Sequence, residues 1–465
     1  MTDLKSRLMG GSRNIDMTQG DIFSHVLKFA LPLLVGNIFQ QLYNTVDTWI
    51  VGNYVGDVAF SAVGSLTPVI NTLIGLFTGL ATGAGVIIAQ YYGAKEYEKV
   101  RKTVHTAIAI TAILSIVFAV IGILITPAML ALMKVPAHVA PYSQKYLTIY
   151  FTGIAGLLFY NMIAGILRAV GNSTYPFYYL VVCVVMNIGL DLLFVIGLGL
   201  GVEGVAYATI IAQGCSALLS IITLLKINAC VRLSFRQIRI HRAYFFKIIV
   251  IGFPTALQMA ITSFSNVFIQ SYINHFGSDC MGGWTAFTKV DQLLLLPMQS
   301  ISLAITTFVG QNLGISQVKR AKRGVHTALT LSLAVTISLS VIVVLAAPFI
   351  VEAFNKKPEV VSYGVQFLRF LTPCLALECI TQIYAGALRG AGNSRTPMAI
   401  ILFSFVLFRQ VYFYIAANYI SSEILPIAFG YPASWMVSDL LILICYYRTD
   451  LSAYRLTRES NTGKS

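Results

Sequence analysis

The chain has 465 residues, of which 57% are hydrophobic and only 11% charged, whereas about 25% are charged in an ordinary soluble domain. That balance excludes a water-soluble globular fold. Twelve spans of about 20 residues leave only short connections, so no separate soluble domain fits. The net charge of +14 does not imply nucleic acid, because the basic residues cluster between apolar runs, as they do beside a cytoplasmic membrane surface.

In chain order, Asp3, Asp16 and Asp21 precede a long apolar segment with no small-residue cleavage site, so no removable signal peptide is expected. Apolar runs bounded by Gly, Pro and charge predict helices over 27–52, 60–90, 103–126, 140–166, 174–198 and 203–226. An Arg-rich linker over 227–245 follows. A second set is predicted over 246–275, 282–312, 324–347, 359–388, 396–420 and 424–447. The seven cysteines show neither CxxC nor metal spacing and read as small core residues.

Of the 32 Lys and Arg residues, 25 fall at the two termini and in the even-numbered connections. Four (Lys134, Lys145, Lys356, Lys357) fall on the opposite side, so both termini are expected to be cytoplasmic. The chain also repeats at an offset near 221 residues. AGILRAVGNSTYP (164–176) answers AGALRGAGNSRTP (385–397) with eight identities in thirteen positions. VHTA recurs at Val104 and Val325, and Pro32, Asn44 and Pro127 answer Pro254, Asn266 and Pro348. Six spans per unit is an even number, so both copies enter from one side. The expected fold is an all-α integral membrane protein with twelve transmembrane helices in two parallel-repeat six-helix bundles: an N-lobe (1–226) and a C-lobe (246–465) around a central cleft. Such architecture belongs to secondary transporters that expose a central site alternately to each side.

An ionisable group at the bilayer centre costs at least about 2.5–3.5 kcal/mol on insertion scales, so each needs a partner or a purpose. Gln40, Asn44 and Asp47 share one face of the first helix at spacings of four and three. Asn187 and Asp191 are four apart on the fifth, and Thr209 on the sixth falls at similar depth. Two carboxylates with Asn and Thr oxygens suit a hard monovalent cation or a shared proton, because two close carboxylates in low dielectric do not both stay ionised cheaply. Helix packing alone is the alternative. In the second half the offset positions are Ile269 and Tyr412, with Arg409 nearby, so this chemistry is confined to the first half.

Glu378 is expected near mid-membrane, either as a second ion or substrate-charge site or in a salt bridge to Arg369 or Arg409. Lys289 and Asp291, near the outer end of the eighth helix, are expected to snorkel or pair locally. Asp439 has no assigned role. Met259, Phe264, Phe268, Tyr272, Trp284, Phe287 and Met298 can line an adaptable pocket for flat hydrophobic cations, and core packing explains most of them equally well. Pro32 removes a backbone hydrogen bond in the first helix and can bend it.

These residues carry a resemblance. LPLLVGNIFQQLYNTVDTWIVG (31–52), the turns GAK and GIS after Gln90 and Gln311, the duplicated LRxxGNS and GVEGVAYATIIAQ (201–213) together resemble the multidrug and toxic compound extrusion (MATE) transporters over nearly the whole chain. The resemblance implies export of organic, often cationic, compounds by antiport with Na⁺ or H⁺, with no other cofactor. It places Asp47, Asn187, Asp191 and Thr209 at an ion site of the N-lobe, Pro32 at a helix bend and Glu378 at an acidic position of one branch. That branch also has an acid on the seventh helix, which this chain lacks. A lipid-linked oligosaccharide flippase or a narrow metabolite exporter of related architecture remains the alternative. An enzyme is not expected, since HExxH, GxSxG and Walker A motifs are absent. Oligomeric state leaves no mark on the sequence.

Overall fold

The computed structural model describes residues 15–133, 135–227, 230–420 and 424–456; Lys134, counted above, lies outside them. Among the described residues the long elements are all helical. The spans are α1 (Ile22–Val55), α2 (Val58–Gly93), α3 (Tyr97–Leu132), α5 (Thr174–Gly197), α6 (Gly201–Lys226), α7 (Arg242–Asn274), α8 (Ser278–Gly314), α9 (Val318–Phe354), α10 (Pro358–Ala391), α11 (Arg395–Tyr419) and α12 (Ile424–Arg448). The fourth, α4, is a pair, Ala140–Thr152 and Ile154–Ala169, bent by 50°. The twelve-span helical fold expected from hydropathy is thus the one observed.

The differences lie at helix ends and at α4. Helices α2, α3, α8 and α9 run 36 or 37 residues, well beyond the roughly 20 that cross the hydrocarbon. On α3 the extra turns are polar and paired, with Lys99 bound to Glu96 and Lys102 to Glu98, so the helix continues outside the apolar layer. The break in α4 falls at Gly153, where a Cβ would lie 2.3 Å from the Ile210 side chain. Close approach of α6 requires glycine there, and glycine weakens the helix.

The duplicated LRxxGNS motif is a helix stop followed by a restart. Gly171 and Gly392 adopt φ of 86° and 100°, the left-handed conformation that ends a helix. Asn172 Oδ1 then accepts from the Tyr175 amide at 3.1 Å, and Asn393 Oδ1 from the Thr396 amide at 3.2 Å. Each asparagine therefore satisfies an orphan donor of the next helix.

Tertiary packing does not respect the sequence halves everywhere. Met17, Val26, Phe29 and Leu33 are buried in the cluster built mainly from α8–α12, whereas Ile248 and Ile251 of α7 are buried among α2, α3 and α4. Helix α7 lies close along α2: a Cβ at Gly79 would come 2.3 Å from the Ala256 nitrogen, and one at Gly83 would come 2.4 Å from the Gly252 Cα. Gly79→Leu is therefore expected to hold these helices apart. In a cysteine-free background, a reporter cysteine at Thr82 should be labelled faster by a water-soluble maleimide in that variant than with Gly79 present; equal rates would contradict the close seam.

Candidate functional site: a buried carboxylate pair above a closed seam

Helices α1, α5 and α6 bring four of the expected residues together. Asp47 is 8% exposed, Asn187 and Asp191 are 0% and Thr209 is 2%. Asn187 stands between two acceptors, so its amide nitrogen faces them; it donates to Asp47 Oδ1 at 2.9 Å and to Asp191 Oδ2 at 3.2 Å. Asp191 Oδ1 is buried with no hydrogen-bond partner among the described residues. The Thr209 hydroxyl donates to the Val205 carbonyl at 2.9 Å, which leaves its lone pairs for the cluster. Helical winding loosens to a π-turn directly beyond the site in both helices, over Val51–Val55 and Leu192–Gly197, a feature frequent at functional positions.

Two tyrosines complete the cluster. Tyr43 donates to Thr209 Oγ1 through a long bond of 3.5 Å and lies beside Asp47, and Tyr146 of α4 lies near Thr209 and the two carboxylates. Sequence reasoning missed both. The signal for Tyr43 was its position four residues before Asp47, whereas nothing in the sequence placed Tyr146 near α1. No basic side chain neutralises the pair among the described residues. Two carboxylates, hydroxyls and an amide in a dry setting form an oxygen-rich site that a proton or a small cation would neutralise. Gln40 is half-buried and Asn44 exposed, so Tyr43 rather than Asn44 shares the inner side of α1 with Asp47. The helix is continuous through Pro32.

The helix ends on the terminal face are sealed by two fully buried glutamines. Gln90 of α2 donates to the carbonyls of Ala391 (2.9 Å) and Gly390 (3.2 Å), and Gln311 of α8 donates to the Ala169 carbonyl (2.9 Å). Each also accepts from an extramembrane segment: Gln90 Oε1 from the Leu456 amide at 3.0 Å, Gln311 Oε1 from the Met17 amide at 3.2 Å. Asn312 and Arg320 hold the Met17 carbonyl at 3.0 and 3.3 Å. A Cβ at Gly93 would lie 2.1 Å from the Gln311 carbonyl oxygen, and one at Gly314 would lie 2.2 Å from that of Gln90. The seam is therefore tight at the terminal face.

A second polar group lies in α8, α10, α11 and α12. Asp291, expected to snorkel or pair locally, instead faces Glu378 and Arg409 inside the bundle, because α8 begins well before it, at Ser278. Arg409 is buried, with its guanidinium 4.3 Å from the Tyr431 ring centroid and 4.8 Å from that of Phe405, and it donates to Ser434 Oγ at 2.9 Å. The salt bridge of Glu378 to Arg409 or Arg369, one of its two expected roles, is not formed among the described residues. Glu378 Oε1 accepts from Gln382 at 3.4 Å, and Asp439 Oδ1 accepts from Thr381 at 2.7 Å.

The aromatic and sulfur-bearing residues divide. Trp284, Phe287 and Met298 are 3%, 2% and 0% exposed, and Trp284 packs on Phe287 (4.9 Å), Phe367 (5.0 Å) and Tyr431 (5.6 Å). In this conformation they are core. Trp284→Ala is expected to cost about 3–5 kcal/mol through the cavity it leaves, read as an earlier thermal midpoint of the purified protein. Phe268 is exposed, Met259 and Tyr272 are half-buried, and Tyr272 lies 5.5 Å from the Phe413 ring. The side chain of Phe264 lies outside the described residues.

Twelve apolar spans around a buried carboxylate pair, with one face sealed between repeated halves, define a multi-pass membrane transporter. Residues 32–193 and 254–415 match the MatE family model, and the chain belongs to that family. It is 28% identical to the probable multidrug resistance protein YoeA of Bacillus subtilis (92% of this chain, 94% of the relative) and 25% identical to YpnP of the same organism, which carries the same description (93% and 96%). Identity to the multidrug export protein MepA of Staphylococcus haemolyticus is 23% (82% and 85%). Among solved structures, a MATE protein in complex with MaL6 superposes with a TM-score of 0.89 at 22% identity (96% and 100% coverage). An outward-facing multidrug resistance MATE transporter superposes with 0.88 at 22% identity (96% and 99%).

Proposed function

We propose that the protein is a secondary active exporter of hydrophobic or cationic organic compounds, driven by antiport of Na⁺ or H⁺, in which an N-lobe (1–226) and a C-lobe (246–465), joined by the linker 227–245, expose a central cleft alternately. The observation that carries this reading is the Asp47–Asn187–Asp191 cluster, a buried carboxylate pair with no basic partner among the described residues. The names of the relatives supply the substrate class. The excess of Lys and Arg on the terminal face orients both termini to the cytoplasm, with the chain in the cell membrane, so the structure corresponds to a state closed to the cytoplasm.

In this scheme the ion enters from outside and binds between Asp47 and Asp191. It alters α1, whose Pro32 leaves one backbone bond unmade, and lowers affinity for substrate in the cleft. Linkage requires substrate to weaken ion binding by the same factor. The test is efflux of ethidium from proteoliposomes under an imposed Na⁺ or H⁺ gradient. Efflux driven by one gradient and not the other identifies the coupling ion; no efflux under either would overturn the multidrug reading and favour a flippase or a narrow exporter.

A further inference from the structure

The segments flanking the first and last spans both reach across the sealed face, at places that the repeat relates. Gly171 and Gly392 are equivalent in the duplicated motif, and so are Gln90 and Gln311. Ahead of α1, the Ile15 amide donates to the Gly171 carbonyl at 3.0 Å, and two residues later the Met17 amide donates to Gln311 Oε1 at 3.2 Å. Beyond α12, the Leu456 amide donates to Gln90 Oε1 at 3.0 Å. Two residues earlier, Tyr454 lies against Gly392, where a Cβ would come 3.4 Å from its carbonyl oxygen. Each segment therefore touches one half with one residue and the other half two residues away.

The side chains divide in the same way. Met17 is buried in the cluster built mainly from α8–α12, and Asn312 and Arg320 hold its carbonyl. Leu456 packs against the cluster of α2, α3 and α4, whereas Leu451 is buried in the other cluster and the Arg455 guanidinium donates to Ser316 Oγ at 2.6 Å. A segment bound to both halves opposes their separation, because its contacts with one of them break before the face can part. Neither segment belongs to a span, so either can detach without unwinding a transmembrane helix.

We propose that residues 15–17 and 454–456 form a pair of latches on the terminal face: each segment is an intramolecular ligand of the half it reaches across to, and each must release one half before that face opens. A ligand held by one conformer shifts the population toward it, so the latches set how much of the protein rests closed. The device is the same whichever ion or compound is moved, and its test does not need transport.

Met17→Pro and Leu456→Pro each delete one amide and leave every residue of the spans in place, including the bonds of Gln90 and Gln311 to helix-end carbonyls. Arg455, at ψ 125°, already has the extended backbone that precedes proline. The reporter is a cysteine at Thr82, on the seam beside Leu303 and Thr307, in sealed vesicles with a membrane-impermeant maleimide supplied only at the terminal face. Its labelling rate follows the open fraction. Cys379, 0% exposed and bonded to Ser332 Oγ at 3.0 Å, is the only native cysteine retained and serves as the folding control. Labelling at position 82 is expected to rise about fivefold or more in each proline variant, as an unpaired buried acceptor implies, and further in the double variant, with Cys379 unlabelled. Met17→Leu and Leu456→Met, which keep the amides, should label at the wild-type rate. A rate unchanged by the prolines, matched by the conservative variants, or raised only together with labelling of Cys379 overturns the proposal.

Discussion

Asp47→Asn is expected to abolish gradient-driven efflux while leaving the protein folded in the membrane. The amide keeps the size of the carboxylate and can still meet Asn187 and Tyr43, so packing around α1 survives. What is lost is one of the two carboxylates that would draw a proton or cation into a site with no basic residue among the described ones. A hydrogen bond to a charged group contributes about 1.5–3 kcal/mol, so ion affinity should fall by roughly tenfold to over a hundredfold. Asp191→Asn should do the same. Thr209→Val should weaken coupling less, because Thr209 offers only lone pairs at the edge of the cluster. Efflux of ethidium under the driving gradient is the measurement, with substrate binding to the detergent-solubilised variant as the folding control. Wild-type efflux by Asp47→Asn would remove the carboxylate pair from the mechanism and reduce it to a packing element of α1 and α5.

The double variant Gln90→Ala, Gln311→Ala is expected to open the terminal face. Each glutamine satisfies a carbonyl at the end of a helix in the other half and an amide of an extramembrane segment. Truncation leaves those buried groups unpaired, at about 1–3 kcal/mol each. Even about 2 kcal/mol in total moves a two-state equilibrium roughly thirtyfold, enough to depopulate the closed state. Spin labels at Lys95, in the turn after α2, and at Lys319, at the start of α9, would report it as a shift of the distance distribution to longer values. An unchanged distribution would mean that the glycine contacts at Gly93 and Gly314 hold the seam alone. The single variants should each have a smaller effect, since the two locks are related by the repeat and act in parallel.

Both outcomes bear on how much of this protein is legible in its sequence. Hydropathy determined the twelve spans, though not their ends, which run up to seven residues beyond the apolar runs on α3 and α9, because a bilayer forces every backbone group in the hydrocarbon to be satisfied within its own helix. The i, i+4 spacings of Asn187–Asp191 and Gln40–Asn44 marked polar helix faces by themselves, and depth arithmetic brought Asp47, Asp191 and Thr209 to one level. Internal similarity exposed the repeat, and with it the motif that stops α4 and α10. Helix geometry is local, so these features follow from residues close in the chain.

Contacts between helices are not local, and the sequence was silent or misleading on them. Tyr146 joins the carboxylates because α4 bends at Gly153 and packs against α6. Asp291 turns inward toward Glu378 and Arg409, and Trp284 sits in a core rather than a cleft, because the rotation of α8 about its axis is set by its neighbours. The reciprocal reach of Gln90 and Gln311 depends on two halves meeting end to end. The sequence by itself determined which segments cross the membrane and which of their faces are polar; only the tertiary structure decided which of those faces meet, since spacing along a helix fixes an angle within that helix and says nothing of what stands opposite.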